Sequence, residues 1–223
     1  MIGYGQQFCP IAQALEVIGE RWTLLVVREL LCGSSRFSEL RRGLPLISRS
    51  VLAQRLKLLT EAGVIERRGG GYFLTEAGQE LREIVIACGV WGKRWVRHRL
   101  RSSDVDVGLL MWDIQRRIDV SALPDALLVV EIELRGAPRG KGRFWLKLSR
   151  GDVELCLTPP HEPATLHVYT TPKALAQIWL GEVSFHDAER AGTIEVVGPR
   201  ALARAFPSWL QLSMFAATER HAA

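Results

Sequence analysis

Residues 48–59 read Ser48-Arg49-Ser50-Val51-Leu52-Ala53-Gln54-Arg55-Leu56-Lys57-Leu58-Leu59. With about 100° per residue, Leu56 and Leu59 fall within roughly 40° of Leu52, one apolar stripe at helical spacing. Ser50, Gln54 and Lys57 fall on the opposite side, with Ala53 at its edge. Ser48 precedes the run as an N-cap whose hydroxyl accepts a backbone N–H of the first turn, and Arg49 sits in that turn. Such a face suits the DNA major groove. Gln bonds adenine bidentately, Ala touches a thymine methyl, and Arg or Lys reaches guanine or phosphate. Arg55 lies about 60° from the stripe; it either meets DNA or braces the fold by pairing with an acidic neighbour.

What precedes the helix completes a motif. Ser35 to Arg42 makes a short helix with Phe37 and Leu40 inward, and Gly43-Leu44-Pro45-Leu46-Ile47 is a turn. Two short helices about such a turn form a helix-turn-helix. Downstream, Val64 to Arg68 and Tyr72 to Leu74 flank three glycines, the pattern of a β-hairpin. That hairpin is the wing of a winged helix, with Arg67 and Arg68 placed to meet phosphate or a minor groove. Upstream, Pro10 opens a first helix, with Leu15, Ile18 and Trp22 at helical spacing. Trp22 to Leu31 is apolar on nearly all sides and belongs to a helical core. From Thr75 a long helix is expected to about Arg99. Its broad face of Leu81, Ile84, Val85, Cys88, Trp91 and Trp95 either packs on its own core or forms the seam of a two-fold dimer.

Charge supports this reading. The 223 residues carry a net +5. Residues 1–100 hold 15 Lys/Arg against 9 Asp/Glu, a net +6, and the remainder holds 14 against 15, a net −1. The basic excess lies in the N-terminal part, where a polyanion is the natural partner; with the helix-turn-helix there, that partner is expected to be double-stranded DNA. Arg36, Arg41, Arg42, Arg49, Arg55 and Lys57 fall within one short segment that also holds Glu39.

Several motifs together resemble the HxlR-type winged-helix regulators, a group related to MarR. They are Cys9-Pro10, Gly19-x-Arg21-Trp22-Thr23, Leu30-Leu31-x-Gly33-x-x-Arg36-Phe37-x-Glu39-Leu40, Ile47-Ser48 through Leu52-x-x-Arg55-Leu56, Glu61-Ala62-Gly63 and Leu74-Thr75-Glu76-x-Gly78. The resemblance implies a dimeric DNA-binding repressor or activator. It also places Cys9 where several members carry a signal-sensing cysteine. A helix N-terminus favours a thiolate, while the alternative is a small buried hydrophobe.

Residues 101–107 are polar and mark a linker, dividing a domain of residues 1–101 from one of residues 107–223. The second domain opens with an amphipathic helix from Leu109 to Ile118. Alternating strands follow at 127–134, 143–148, 153–157, 166–170 and 194–198, with helices around 173–180, after Ser184 and after Pro199. An antiparallel sheet with helices on one side is expected, making the chain α+β with two domains. Gly140 to Leu146, Gly151-x-Val153, Leu180-Gly181-Glu182, Ala188-x-x-Ala191-Gly192 and Val197-Gly198 resemble the sterol carrier protein fold, which implies an apolar cavity for an acyl or sterol-like molecule. Trp112, Phe144, Trp145, Leu146, Trp179, Phe185, Trp209 and Phe215 either line that cavity or fill a core. An apolar small-molecule effector of DNA binding is the corresponding expectation.

Four scattered cysteines carry no metal-ligand spacing, and His98, His161, His167, His186 and His221 are isolated. With no P-loop, G-x-S-x-G or H-E-x-x-H, the expectation is a protein that is not an enzyme, without cofactor or metal. No run of about 18 apolar residues suits a bilayer, so a cytoplasmic protein is expected, with no membrane partner. The competing reading is a lipid carrier or scaffold that uses the winged helix only to dimerise.

Overall fold

The computed structural model describes residues 8–96 and 104–218. Their contacts group into two units, Met1–Gly92 and Lys93–Ala223. The expected helix end near Arg99, residues 101–103 of the expected linker, His98 and His221 lie outside the described residues.

In the first unit, α1 (Pro10–Ile18) has its proline at the first turn and stops at Gly19. Trp22 then turns the chain with a left-handed φ of 78°, uncommon for so bulky a residue. The Arg21 guanidinium sits over its ring, 4.9 Å from the centroid. Next come α2 (Thr23–Leu31), α3 (Phe37–Gly43) and α4 (Arg49–Glu61), then β1 (Ile65–Arg68) and β2 (Gly71–Leu74), paired antiparallel. The long helix α5 (Glu76–Trp95) follows. Val26, Val27, Leu40, Leu52, Leu56 and Leu59 form one core, so the stripe on α4 faces inward as its spacing predicts.

One polar joint lies inside that core. The fully buried Glu29 pairs with Arg28. It also accepts from Ser34 Oγ at 3.2 Å, while Arg28 Nη2 donates to the Gly43 carbonyl at 3.2 Å. A Cβ on Gly43 would overlap the Glu29 carboxylate. The end of α3 therefore closes directly onto a satisfied buried carboxylate of α2, which fixes the two helices that lead into α4.

In the second unit α6 (Val107–Gln115) is capped by Asp106, which accepts from Leu109 N at 2.9 Å. A short 3₁₀ turn at Val120–Ala122 follows. The strands are β3 (Leu128–Leu134), β4 (Arg143–Leu148), β5 (Val153–Cys156) and β6 (Leu166–Thr170). After α7 (Pro172–Trp179) and α8 (Phe185–Arg190) come β7 (Ile194–Val197) and α9 (Arg200–Trp209).

The sheet order is β5-β4-β3-β6-β7. It departs from the expected all-antiparallel arrangement at its centre, where β3 and β6 run parallel with Val130 opposite Leu166. The chain leaves the edge strand β5 and crosses to the far side of β3, so β6 enters in the same direction as β3. The other pairs are antiparallel.

Leu128, Val130, Ile132 and Leu134 on β3 join Leu146, Val168 and Ile194 in one core with Met111, Leu175, Ala188, Phe206 and Trp209 of the helices. The helices thus share one face of the sheet. The other face carries Glu131 and Glu133 in a network with Arg143 and His167. His167 Nδ1 lies 3.0 Å from Glu131 Oε2.

Candidate nucleic-acid interface

The helix that decides the fold also builds the site. Ser48 caps α4, its Oγ accepting from Val51 N at 3.2 Å, and lies 3.1 Å from Ser50 Oγ. Leu52, Leu56 and Leu59 are buried, which turns Arg49, Ser50, Ala53, Gln54 and Lys57 to the exposed face. Lys57 makes a long exposed pair with Glu61, at 3.7 Å. Pairs of that kind contribute little and release the cation readily to a phosphate. Arg55 is different. Its Nη2 donates to Glu20 Oε2 at 2.9 Å and its side chain is only 11% exposed. Of the two roles open to it in the sequence, the structure shows the brace.

Arg36 joins the helix-turn-helix to the wing, its Nη1 donating to the Gly69 carbonyl at 3.1 Å. Close by, Tyr72 N donates to Ser35 O at 2.8 Å. Glu39 accepts from the backbone N–H groups of Ser35 and Arg36, at 2.8 and 2.9 Å. Partial burial works against ionisation there, but these two N–H groups and the Arg36 and Arg42 charges hold the Glu39 carboxyl below its ordinary value. On the hairpin, Arg67 lies over Tyr72 with 5.8 Å to the ring centroid, and Arg68 over Phe73 with 4.5 Å. Stacking orders both guanidiniums without removing their charge; both arginines are exposed.

Two apolar stripes face outward from this unit. On α5, Leu81 and Val85 are taken up by the unit's own core. Ile84, Cys88, Trp91 and Trp95 remain exposed, Trp91 by 62%. At α1, Phe8 just before the helix and Ile11 and Leu15 on it are exposed by 93, 70 and 39%. Helical spacing groups Leu15 with Ile18, yet Ile18 is buried and Leu15 is not, because spacing marks an apolar face without saying what covers it. Cys9, at the N-cap of α1, is free and exposed. That excludes its being a buried hydrophobe within the chain's own fold.

The aromatic residues expected to line a cavity in the second unit divide. Phe144, Leu146 and Trp209 are buried in the core, where Phe206 packs edge-on against both Trp209 and Phe185. Trp145 is buried on the sheet's other face, and Trp112 lies beneath Arg116 with 5.3 Å to the ring centroid. Trp179 packs against the core from a half-buried position, and Phe215 is half-buried. Of that set, Phe185 lines a half-open apolar groove of about 540 Å³ between α7–α8 and the segment that begins at Pro207. Among the described residues no helix is long and apolar enough to cross a membrane.

Comparison with known proteins bears on the first unit above all. The family model described as HxlR-like helix-turn-helix matches residues 17–100. An uncharacterised HTH-type transcriptional regulator of Mycobacterium tuberculosis is 39% identical over 93 residues, which are 39% of this chain. The match spans 58% of that relative, a little over half its length. The uncharacterised HTH-type transcriptional regulator YvaP of Bacillus subtilis is 36% identical over 98 residues, 40% of this chain and 91% of the relative. Among solved structures, quinone-bound YodB from B. subtilis is 35% identical over 38% of this chain and 97% of its own, with a TM-score of 0.36. A ubiquinone synthesis protein titled UbiJ-SCP2 is 19% identical over 40% of this chain and 72% of its own, with a TM-score of 0.32.

Proposed function

The chain belongs to the HxlR-like helix-turn-helix family, and from that premise we propose that it is a dimeric transcription regulator acting on double-stranded DNA. The observation that carries this reading is the exposed face of α4. Ser50, Ala53 and Gln54 are donors, acceptors and a methyl suited to base edges, and they stand on a helix whose opposite side is locked in the core. Arg49, Lys57, Arg67, Arg68 and Arg36 supply the phosphate contacts that set register. The outward stripes on α1 and α5 are the surfaces a second copy would cover, pairing two α4 helices on two half-sites. In this reading an apolar small molecule held by the second unit modulates DNA affinity.

The test is binding of the full chain to DNA upstream of its own gene at a series of salt concentrations. Two protomers should bind per fragment, with log affinity falling linearly in log salt. The variant Arg67→Ala, Arg68→Ala should flatten the slope by about 2 per protomer, since each lost phosphate contact removes about one released counterion. An unchanged slope would take the hairpin off the DNA, and absence of binding at every salt would sink the regulator reading.

One observation favours a second mode of control, by oxidants or electrophiles at Cys9: the thiol is free and exposed at a helix start. Diamide should then lower DNA affinity in the wild type and leave Cys9→Ser unchanged. Equal loss in both proteins would dismiss Cys9.

A further inference from the structure

The apolar groove of the second unit has a feature that an inert surface crevice lacks. Lys93, in the last turn of α5 and the first residue of the second unit, donates from Nζ to three backbone carbonyls. They are Leu180 O at 2.6 Å, Phe215 O at 2.7 Å and Ala216 O at 3.0 Å. Leu180 caps the end of α7, while Phe215 and Ala216 belong to the terminal segment. These are the two walls of the groove, for Gly181 and Ala216 both line it. The ammonium therefore bridges one wall to the other.

The walls meet closely at that end. A Cβ on Gly181 would come within 2.8 Å of Ala216 O, and Gly181 is held at a φ of +69° that suits glycine. Ser213 N also donates to Trp179 O at 3.0 Å. Away from this closed end the walls part around Ile178, Val183, Phe185, Pro207, Leu210 and Leu212.

The chemistry of the walls selects the occupant. Among the described residues no charged side chain lines the groove. The lining hydroxyl among the described residues, Ser184 Oγ, already donates to Asp187 Oδ2 at 2.7 Å and accepts from Asp187 N at 3.0 Å. The Leu180 and Ala216 carbonyls are engaged by Lys93. A charged ligand would be stripped of water without a partner, whereas an uncharged apolar one loses nothing. The volume is that of an ordinary small-molecule site.

We infer that this groove, rather than the sheet core, is the effector site, that it takes an uncharged apolar small molecule, and that Lys93 reports its occupancy to α5. The inference deepens the ligand-responsive reading above and rests on it. A molecule wedged between α7 and the terminal segment changes the separation of the carbonyls that Lys93 bridges. Lys93 lies two residues after Trp91 on one continuous helix, so a pull on its ammonium acts on the last turn of the helix that carries the outward stripe. Coupling by such a route requires only that the occupant bind the two arrangements unequally.

The experiment uses the full chain with N-phenyl-1-naphthylamine, an uncharged fluorophore, as the probe. Its fluorescence gives binding, and anisotropy of a labelled DNA fragment gives DNA affinity with and without it. The wild type should bind the probe, and the probe should change DNA affinity at least about 5-fold. Leu212→Glu, at an exposed rim position, should weaken the probe roughly 10-fold or more by placing a charge against it. Ala217→Trp, exposed on the same wall, should do likewise by filling the mouth. Lys93→Met should abolish the probe's effect on DNA at probe concentrations that saturate the variant, whatever its probe affinity.

Probe binding undiminished in both rim variants would overturn the site. A persisting probe effect on DNA in Lys93→Met would overturn the route. Loss of all DNA binding without probe, with probe binding still sensitive to the rim variants, would instead strike the regulator reading and leave the groove standing as a site.

Discussion

The variant Arg49→Ala, Gln54→Ala should lose roughly 100-fold or more in affinity for DNA, with its unfolding midpoint unchanged. Both side chains are exposed on α4 and no hydrogen bond or ion pair of the described structure depends on them, so truncation removes contacts to a ligand and nothing else. A bidentate glutamine–adenine contact contributes about 1–3 kcal/mol of discrimination, and a charge-assisted arginine contact is of similar order. At about 1.4 kcal/mol each, in the lower half of that range, two of them reach about 2.8 kcal/mol, a factor of 100. Fluorescence anisotropy against a fixed fragment measures it. Unchanged affinity would leave the winged helix as a dimerisation module on a carrier or scaffold, the competing reading. Arg55→Ala is the contrast within the same helix, because it breaks the Arg55–Glu20 pair and acts through the fold.

Trp209→Ala should cost about 3–5 kcal/mol of the second unit's stability, the range for truncating a buried aromatic. That is a large part of the roughly 5–15 kcal/mol by which a domain is stable. Trp209 is 1% exposed, stacks edge-on with Phe206, and its carbonyl accepts from Asp119 N at 2.8 Å. The measurement also separates two roles. A tryptophan lining an open cavity would vacate space already partly empty, at small cost. A loss under about 1 kcal/mol in denaturant unfolding would return Trp209 to a ligand cavity.

How much of this was legible beforehand follows from the range of each signal. Ser48, Leu52, Leu56 and Leu59 lie within one short window, and a cap plus a stripe at helical spacing is complete there. The strands of the second unit were legible for the same reason, since alternation along Val130, Ile132 and Leu134 is local. What each strand pairs with is not. Nothing in β3 states that its neighbour is parallel β6 rather than a further hairpin partner, because both arrangements bury the same alternate residues. Glu20 as the partner of Arg55, and the Glu29–Gly43 closure, join residues far apart in sequence, so no window holds either. The aromatic residues misled for another reason. Phe144, Trp209 and Phe185 present the same apolar surface to a core as to a ligand, and only packing decides between them.

The parallel pairing of β3 with β6 also sets an order of events during synthesis. Long-range pairing must wait for its loop to close. The winged-helix unit has all its residues once the ribosome passes the end of α5, whereas β3 then emerges with Leu128, Val130, Ile132 and Leu134 on one face and half its backbone unpaired. It can pair with β4 at once, but its other edge stays open until β6, more than thirty residues later, has left the tunnel. At typical elongation rates that interval lasts seconds. During it the nascent chain carries a complete winged-helix unit tethered to an unpaired sheet edge, so aggregation during synthesis is expected to start from the second unit.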